Sequence, residues 1–253
     1  MLVRNLKTMT RACVANMPFR IVRAGPVQIF HSNHYLRHNA RRLEHLASLR
    51  IPVAGMSVLE VGAGIGDHSS YYIDRGCEMT ITEARAENIA QLRKRYPDCR
   101  VEFLDMECPI PLKGSPFDVV HCYGLLYHLS NPRAAVAFLS RCARKMLLLE
   151  TCVSFGDAEE IYPVGERRSD FTQAYSGTGC RPTRAWLFKE LQRLFEHVYV
   201  PSSQPCHDEF PIDWTAPEKH SAELSRSVFV ASREPLTCEA LSTTLLDRQS
   251  RQA

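Results

Sequence analysis

From Val58 onward the chain alternates short apolar runs with stretches whose apolar residues recur at helical spacing. The first run, residues 58–61, leads directly into Gly62, Gly64 and Gly66, which predicts a strand, a tight glycine turn and a helix over 67–75 closed by Gly76. Strands follow at 79–83, 101–106, 117–123 and 146–151, separated by helices at 84–96, which Pro97 stops, and from Asn131 towards Arg144, with Pro132 in the first turn. A helix over 183–195 and strands at 197–200 and 227–231 complete the pattern. Alternation at this spacing predicts an α/β fold: a doubly wound, mostly parallel sheet of seven strands with right-handed crossovers.

Three regions depart from that rhythm. A helix from Ser32 to about Leu49 sets Tyr35, Asn39, Arg42, Leu43 and Leu46 on one face, as a cap over a pocket would. Residues 152–182 and 201–226 have no period and are too long for plain connections, so they read as lid insertions. The expected organisation is an extension and cap helix over 1–50, the sheet domain over 51–233, and a polar, frayed tail over 234–253. The helix histidines His31, His34, His38 and His45 read as surface or interface residues and not metal ligands, because no thiolate or carboxylate joins the run.

Composition then narrows the class. At 253 residues, 45% apolar and 23% charged, the chain reads as a soluble, cytoplasmic globular protein. No apolar run approaches the roughly 20 residues of a membrane span. Ten scattered cysteines without a C-x-x-C pair point to reduced thiols, not a disulfide framework or zinc ribbon. Of 31 basic and 28 acidic residues, eight basic ones precede the first acid, Glu44, so the rest of the chain is net acidic. That basic front end has three readings: recruitment of an anionic partner, a mitochondrial-type presequence, or a solvated terminus. Whether the amino-terminal helix pairs two copies into a homodimer is left open.

The glycine turn carries the first chemistry. A dinucleotide fingerprint needs a third glycine where Asp67 stands. Glu60 and Asp67 flank the loop and would repel a pyrophosphate, while attracting the ammonium and sulfonium of S-adenosylmethionine. The segments E-V-G-A-G-I-G, T-I-T-E, F-L-D-M and F-D-V-V-H-C-Y-G-L-L-Y-H-L-S-N-P resemble the class I S-adenosylmethionine-dependent methyltransferases over roughly 58–231. The last segment looks like the fourth strand of their small-molecule and tRNA-modifying branches, and C-R-P-T-R-A-W-L-F-K-E-L-Q-R-L-F is similar to the latter.

The resemblance implies a Rossmann-like methyltransferase fold with S-adenosylmethionine as cofactor. It implies that Gly62, Gly64 and Gly66 border the methionine moiety and ribose, and that Glu60 organises the amino group. Glu83 would accept the ribose hydroxyls, Asp105 the adenine amino group with Met106 on the ring face, while Tyr123 and Gly124 line the path past the sulfonium. Tyr35 and Arg42 on the covering helix are further cofactor candidates, Arg42 through the carboxylate and with Arg41 as a rival.

His128, just past the fourth strand, is the candidate general base or acceptor-orienting residue, with Tyr127 and Tyr123 shaping the pocket; packing on the next helix is its alternative role. His207, Asp208 and Glu209 can reach the same mouth. Gly124-Leu125-Leu126-Tyr127 replaces the N-P-P-Y-like tetrad of nucleobase amino methyltransferases, and no Pro-Cys motif for cytosine carbon methylation is present. A small-molecule or carbohydrate acceptor is therefore favoured. An RNA substrate gripped by the basic front end is the alternative, and a non-catalytic cofactor-binding regulator is a third reading.

Overall fold

Strand β1 (Ser57–Val61) lies at the centre of the sheet, hydrogen-bonded in parallel to β2 (Glu78–Glu83) on one side and β4 (Phe117–Tyr123) on the other. The computed structural model describes residues 25–170 and 172–252, so the basic residues up to Arg23 lie outside the described part. Beyond β2 the sheet ends at β3 (Arg100–Phe103), and beyond β4 it continues through β5 (Ala143–Cys152). β10 (Arg226–Ser232) is antiparallel to both β5 and β8 (His197–Pro201). The seven strands are joined by an eighth, the two-residue edge strand β11 (Leu241–Ser242) on β8.

Alternation along the strands separates two apolar layers. Leu59, Val61, Val120, Cys122, Leu147 and Leu149 face helices α5 (Pro132–Cys142) and α6 (Arg184–Gln192). Val58, Val119, Met146 and Leu148 face Leu46 of α2 (Asn33–Ser48), Tyr72 of α3 (Ser69–Ile73) and Leu92 of α4 (Ala86–Arg95). Both faces are covered, so these strands read as continuous apolar runs. The chain winds outward from β1 to β3 and returns to β4 on the other side of β1. The crevice at that reversal, beyond the carboxyl ends of β1 and β4, is where open α/β sheets bind ligands.

The insertions are structured. Residues Ile161–Gly165 (β6) and Thr178–Pro182 (β7) form an antiparallel hairpin, and a 3-10 turn at Leu126–His128 packs beneath it. A short helix α1 (Pro26–Phe30), which no sequence period announced, precedes the cap helix. The tail is not frayed. Its two-residue strand β12 (Ser250–Arg251) pairs with β9 (Ser203–Gln204), and buried Gln249 bonds the Pro201 carbonyl, Gln204 and the Trp214 indole. Main-chain pairing, the Gln249 amide and scattered apolar contacts from Leu236, Leu241, Leu245 and Leu246 hold it, with no regular apolar period to read. Three boundaries also shift: α3 begins at Ser69, β3 ends at Phe103, and Arg144 belongs to β5 and not to α5. Among the described residues no helix is long and apolar enough to cross a membrane.

Candidate active site

At the β1 end, Gly62, Gly64 and Gly66 all adopt positive φ, where a Cβ is strained. A Cβ on Gly64 would also stand 3.1 Å from the ring of Phe30, which α1 lays over the loop. The Gly64 amide donates to Glu83 Oε2 at 2.8 Å, while Glu83 Oε1 accepts from the amides of Ala84 and Arg85. Three backbone donors thus orient one nearly buried carboxylate, two of them filling the lone pairs of Oε1 and the third bonding Oε2. Burial still holds its proton affinity above the ordinary carboxylate value. Asp105 lies two residues beyond β3, where the Glu107 amide bonds Oδ1 at 2.9 Å.

Glu60 is buried, accepts from Ser69 Oγ at 2.5 Å, and is pushed up to about 7, chiefly by desolvation. Behind it runs a polar relay: His121 bonds the Tyr72 hydroxyl at 2.8 Å and contacts His68 at 3.3 Å, and burial keeps both imidazoles neutral.

The far end of the cleft is built from segments distant in sequence. His128 Nδ1 meets Glu166 Oε2 at 2.5 Å, and the same oxygen accepts from the Ala174 amide. Glu166 follows β6, so the lid supplies it. Burial lowers the His128 proton affinity more than Glu166 raises it, and the imidazole is neutral near pH 7. Tyr127 stacks beside His128 with 3.9 Å between centroids and accepts a hydrogen bond from Arg226 at 3.2 Å. Arg226 and Arg42 share the fully buried Glu150, and Arg226 also holds Glu209 at 2.5 Å.

These elements surround a cleft of about 1150 Å³, part of it open to solvent, lined from the lid by Thr172, Gln173, Tyr175 and Ser176. Five residues that line it carry a buried polar atom without a hydrogen-bond partner: His38 Nε2, Arg42 Nε, His68 Nε2, Asn88 Oδ1 and the Tyr123 hydroxyl. Native interiors rarely leave such groups unsatisfied, so these atoms are open to water or a polar ligand in the cleft.

Residues 58–146 match the family model described as a methyltransferase domain. Over those residues the chain carries a methyltransferase domain. The malonyl-[acyl-carrier protein] O-methyltransferase of Enterobacter lignolyticus is 31% identical over 126 residues, covering 44% of this chain and 50% of that protein. The tRNA U34 carboxymethyltransferase of Glaesserella parasuis is 26% identical over 215 residues, 76% of this chain and 65% of the relative. The chain therefore spans between half and about two thirds of these relatives. Among solved structures, the N-terminal domain of EvdMO1 with S-adenosylhomocysteine bound shares the fold, with a TM-score of 0.60, 22% identity, and 80% and 85% of the two chains covered.

Tyr35, Arg42, Glu60, Gly62, Gly64, Glu83, Asp105, Met106, Tyr123, Gly124, Tyr127 and His128 line the cleft, whereas Gly66, Arg41, His207, Asp208 and Glu209 do not. A Cβ on Gly66 would meet Tyr96 at 2.5 Å and Leu92 at 2.8 Å, and its carbonyl accepts from the Tyr96 hydroxyl. Gly66 serves the close approach of α4 and lies outside the cleft lining. Arg42 reaches the cleft, but its terminal nitrogens bond Glu150 and Asn39, so the free bidentate fork expected for a carboxylate is not available. Its rival Arg41 is half-exposed on Glu44. Tyr35 approaches the lid at Thr172. Glu166, Glu150, Arg226, Asn88 and the His68–His121 relay carried no local signal; only a carboxylate opposite a pocket histidine could have suggested Glu166.

Proposed function

We propose that the protein transfers the methyl group of S-adenosylmethionine to a hydroxyl of a small-molecule or carbohydrate-type acceptor, with His128 as base and Glu166 as its positioning residue. The observation that carries this is the His128–Glu166 pair at the inner end of a lidded cleft. A carboxylate at Nδ1 selects the tautomer that leaves the Nε2 lone pair free, and Nε2 has no partner among the described residues.

The cleft fits the cofactor: orphaned Asn88 Oδ1 and Arg42 Nε, the Tyr123 hydroxyl and the Gly64 cradle offer the polar contacts and close approach it needs. When bound, S-adenosylmethionine supplies a methyl group already activated on sulfur. Glu83 would accept the ribose hydroxyls, Asp105 with Met106 beside it would hold the adenine, and Glu60 would meet the amino group. His128 Nε2 receives the hydroxyl proton as the acceptor oxygen attacks, and the lid excludes water while Tyr127 and Tyr123 hold the line of approach.

The second reading is RNA modification, favoured by the similarity to a tRNA U34 carboxymethyltransferase across most of the chain. The full chain incubated with labelled methyl donor separates the two. Methylation of sugar or polyol hydroxyls, unchanged between 50 and 200 mM salt, supports the first. Label entering tRNA, with binding that falls by orders of magnitude over that salt range, replaces it with the second.

A further inference from the structure

Cap helix α2 carries His34 and His38 one turn apart, and the 201–226 stretch folds back to bring His207 and Glu209 against them. Glu209 Oε2 stands 3.6 Å from His38 Nε2, and Oε1 stands 3.7 Å from His34 Nε2. One ligating atom each from His38, His207 and Glu209 lie within 4.8 Å of one another. His38 is 2% exposed and His207 4%, and in both the Nε2 atom is buried with no hydrogen-bond partner. Leaving a buried ring nitrogen unpaired costs about 1–3 kcal/mol. Here two such atoms and a carboxylate converge on one space.

We propose that His38, His207 and Glu209, with the half-exposed His34 as a fourth ligand, bind a divalent transition-metal ion of the zinc class. Two or three imidazoles beside one carboxylate suit Zn²⁺ or Co²⁺, whereas Mg²⁺ and Ca²⁺ take all-oxygen sites. Ligands about 2.0–2.1 Å from a tetrahedral ion stand roughly 3.3 Å apart, so side-chain rotations of under about 1.5 Å would close the site. Burial and the nearby Arg42 and Arg226 keep the His38 lone pair unprotonated. Arg226 already fixes Glu209 Oε2, as outer-shell partners of metal ligands do. Ligation through His207 Nε2 puts its proton on Nδ1 and gives up the 3.3 Å bond from the Glu209 amide, which moderates affinity. The ligands join the cap helix to the 201–226 stretch, and His38 also lines the cleft, so the ion would clamp the cap over the cofactor end. The helix run itself supplies no carboxylate; Glu209 comes to it from a distant part of the chain.

This site does not depend on the acceptor, and its test does not use turnover. Untagged full-length protein, stripped with chelator, is titrated with Co²⁺ and then Zn²⁺. One equivalent should bind with the visible bands of tetrahedral or five-coordinate Co²⁺, Zn²⁺ should displace it, and Tm should rise. His38→Ala and His207→Ala should each weaken binding at least about tenfold, Glu209→Gln by a comparable amount, and His34→Ala by only a few-fold. His220→Ala, outside the cluster, should bind as wild type. Melting curves and S-adenosylhomocysteine binding report whether each variant folds; if His38→Ala does not, His207→Ala and Glu209→Gln decide the matter. No stoichiometric Co²⁺ uptake, or uptake unchanged in those variants, overturns the proposal.

Discussion

The two ends of the cleft are made in different ways. At the β1–β2–β3 end, carboxylates are held by amides and hydroxyls from neighbouring turns: Glu83 by Ala84, Arg85 and Gly64, Glu60 by Ser69, Asp105 by Glu107. At the β4–β5 end the main polar contacts join separate segments: His128 to Glu166, Arg42 to Glu150, Arg226 to Glu150, Glu209 and Tyr127. Local anchors come with the sheet, because a strand end and its turn fold together. Long-range pairs exist only once the cap, lid and β10 have docked. Substitutions at the first end should therefore weaken cofactor binding in an intact fold, and those at the second should lower turnover or stability.

The largest effect is expected at His128. His128→Ala should lower kcat by about two to four decades with S-adenosylhomocysteine affinity near wild type, measured by single-turnover assay and calorimetry. Equal loss of both would return His128 to a packing role and erase the contrast between the ends.

Next comes Glu150, fully buried between two guanidinium groups. Glu150→Ala should destabilise the fold by about 3–5 kcal/mol, since it leaves Arg42 and Arg226 buried without their shared counter-charge. Denaturant melts measure this. A loss below about 1 kcal/mol would mean that the far end is not held by its charges.

Glu166→Gln should cost about one to two decades in kcat and move the acid limb of the pH–rate profile downward. His128 must be neutral to act as base, and burial already sets its proton affinity below the ordinary histidine value. Removing the carboxylate that raises it lowers it further. A reduced rate with an unmoved limb would assign Glu166 a purely structural role.

The smallest effect concerns Glu60. Its carboxyl is raised to about 7, and a bound ammonium favours the ionised form, so cofactor binding must expel a proton below that pH. S-adenosylhomocysteine affinity should rise by up to about tenfold per pH unit towards pH 7 and then level off. The slope should vanish in Glu60→Gln. A flat profile in the wild type would separate Glu60 from the amino group.

The sheet and its order of use were legible from the sequence by itself. Central strands covered on both faces must be largely apolar, so they were readable as runs, and acids at the ends of β1 and β2 were readable because they belong to those runs. The glycine turn announced a ligand for the same reason. Even there the sequence could not say which way a glycine faces: Gly62 and Gly64 open on the cleft, whereas Gly66 makes room for Leu92 of α4 and for Tyr96 just beyond it. Tertiary structure alone decided that Arg42 is bound to Glu150, that Glu166 completes His128, that Glu209 meets the cap-helix histidines, and that the polar tail is pinned through Gln249. Each is a contact between polar groups dozens of residues apart or more. Such a contact leaves no period in either segment, because it depends on the distance between two docked elements and not on the spacing within one.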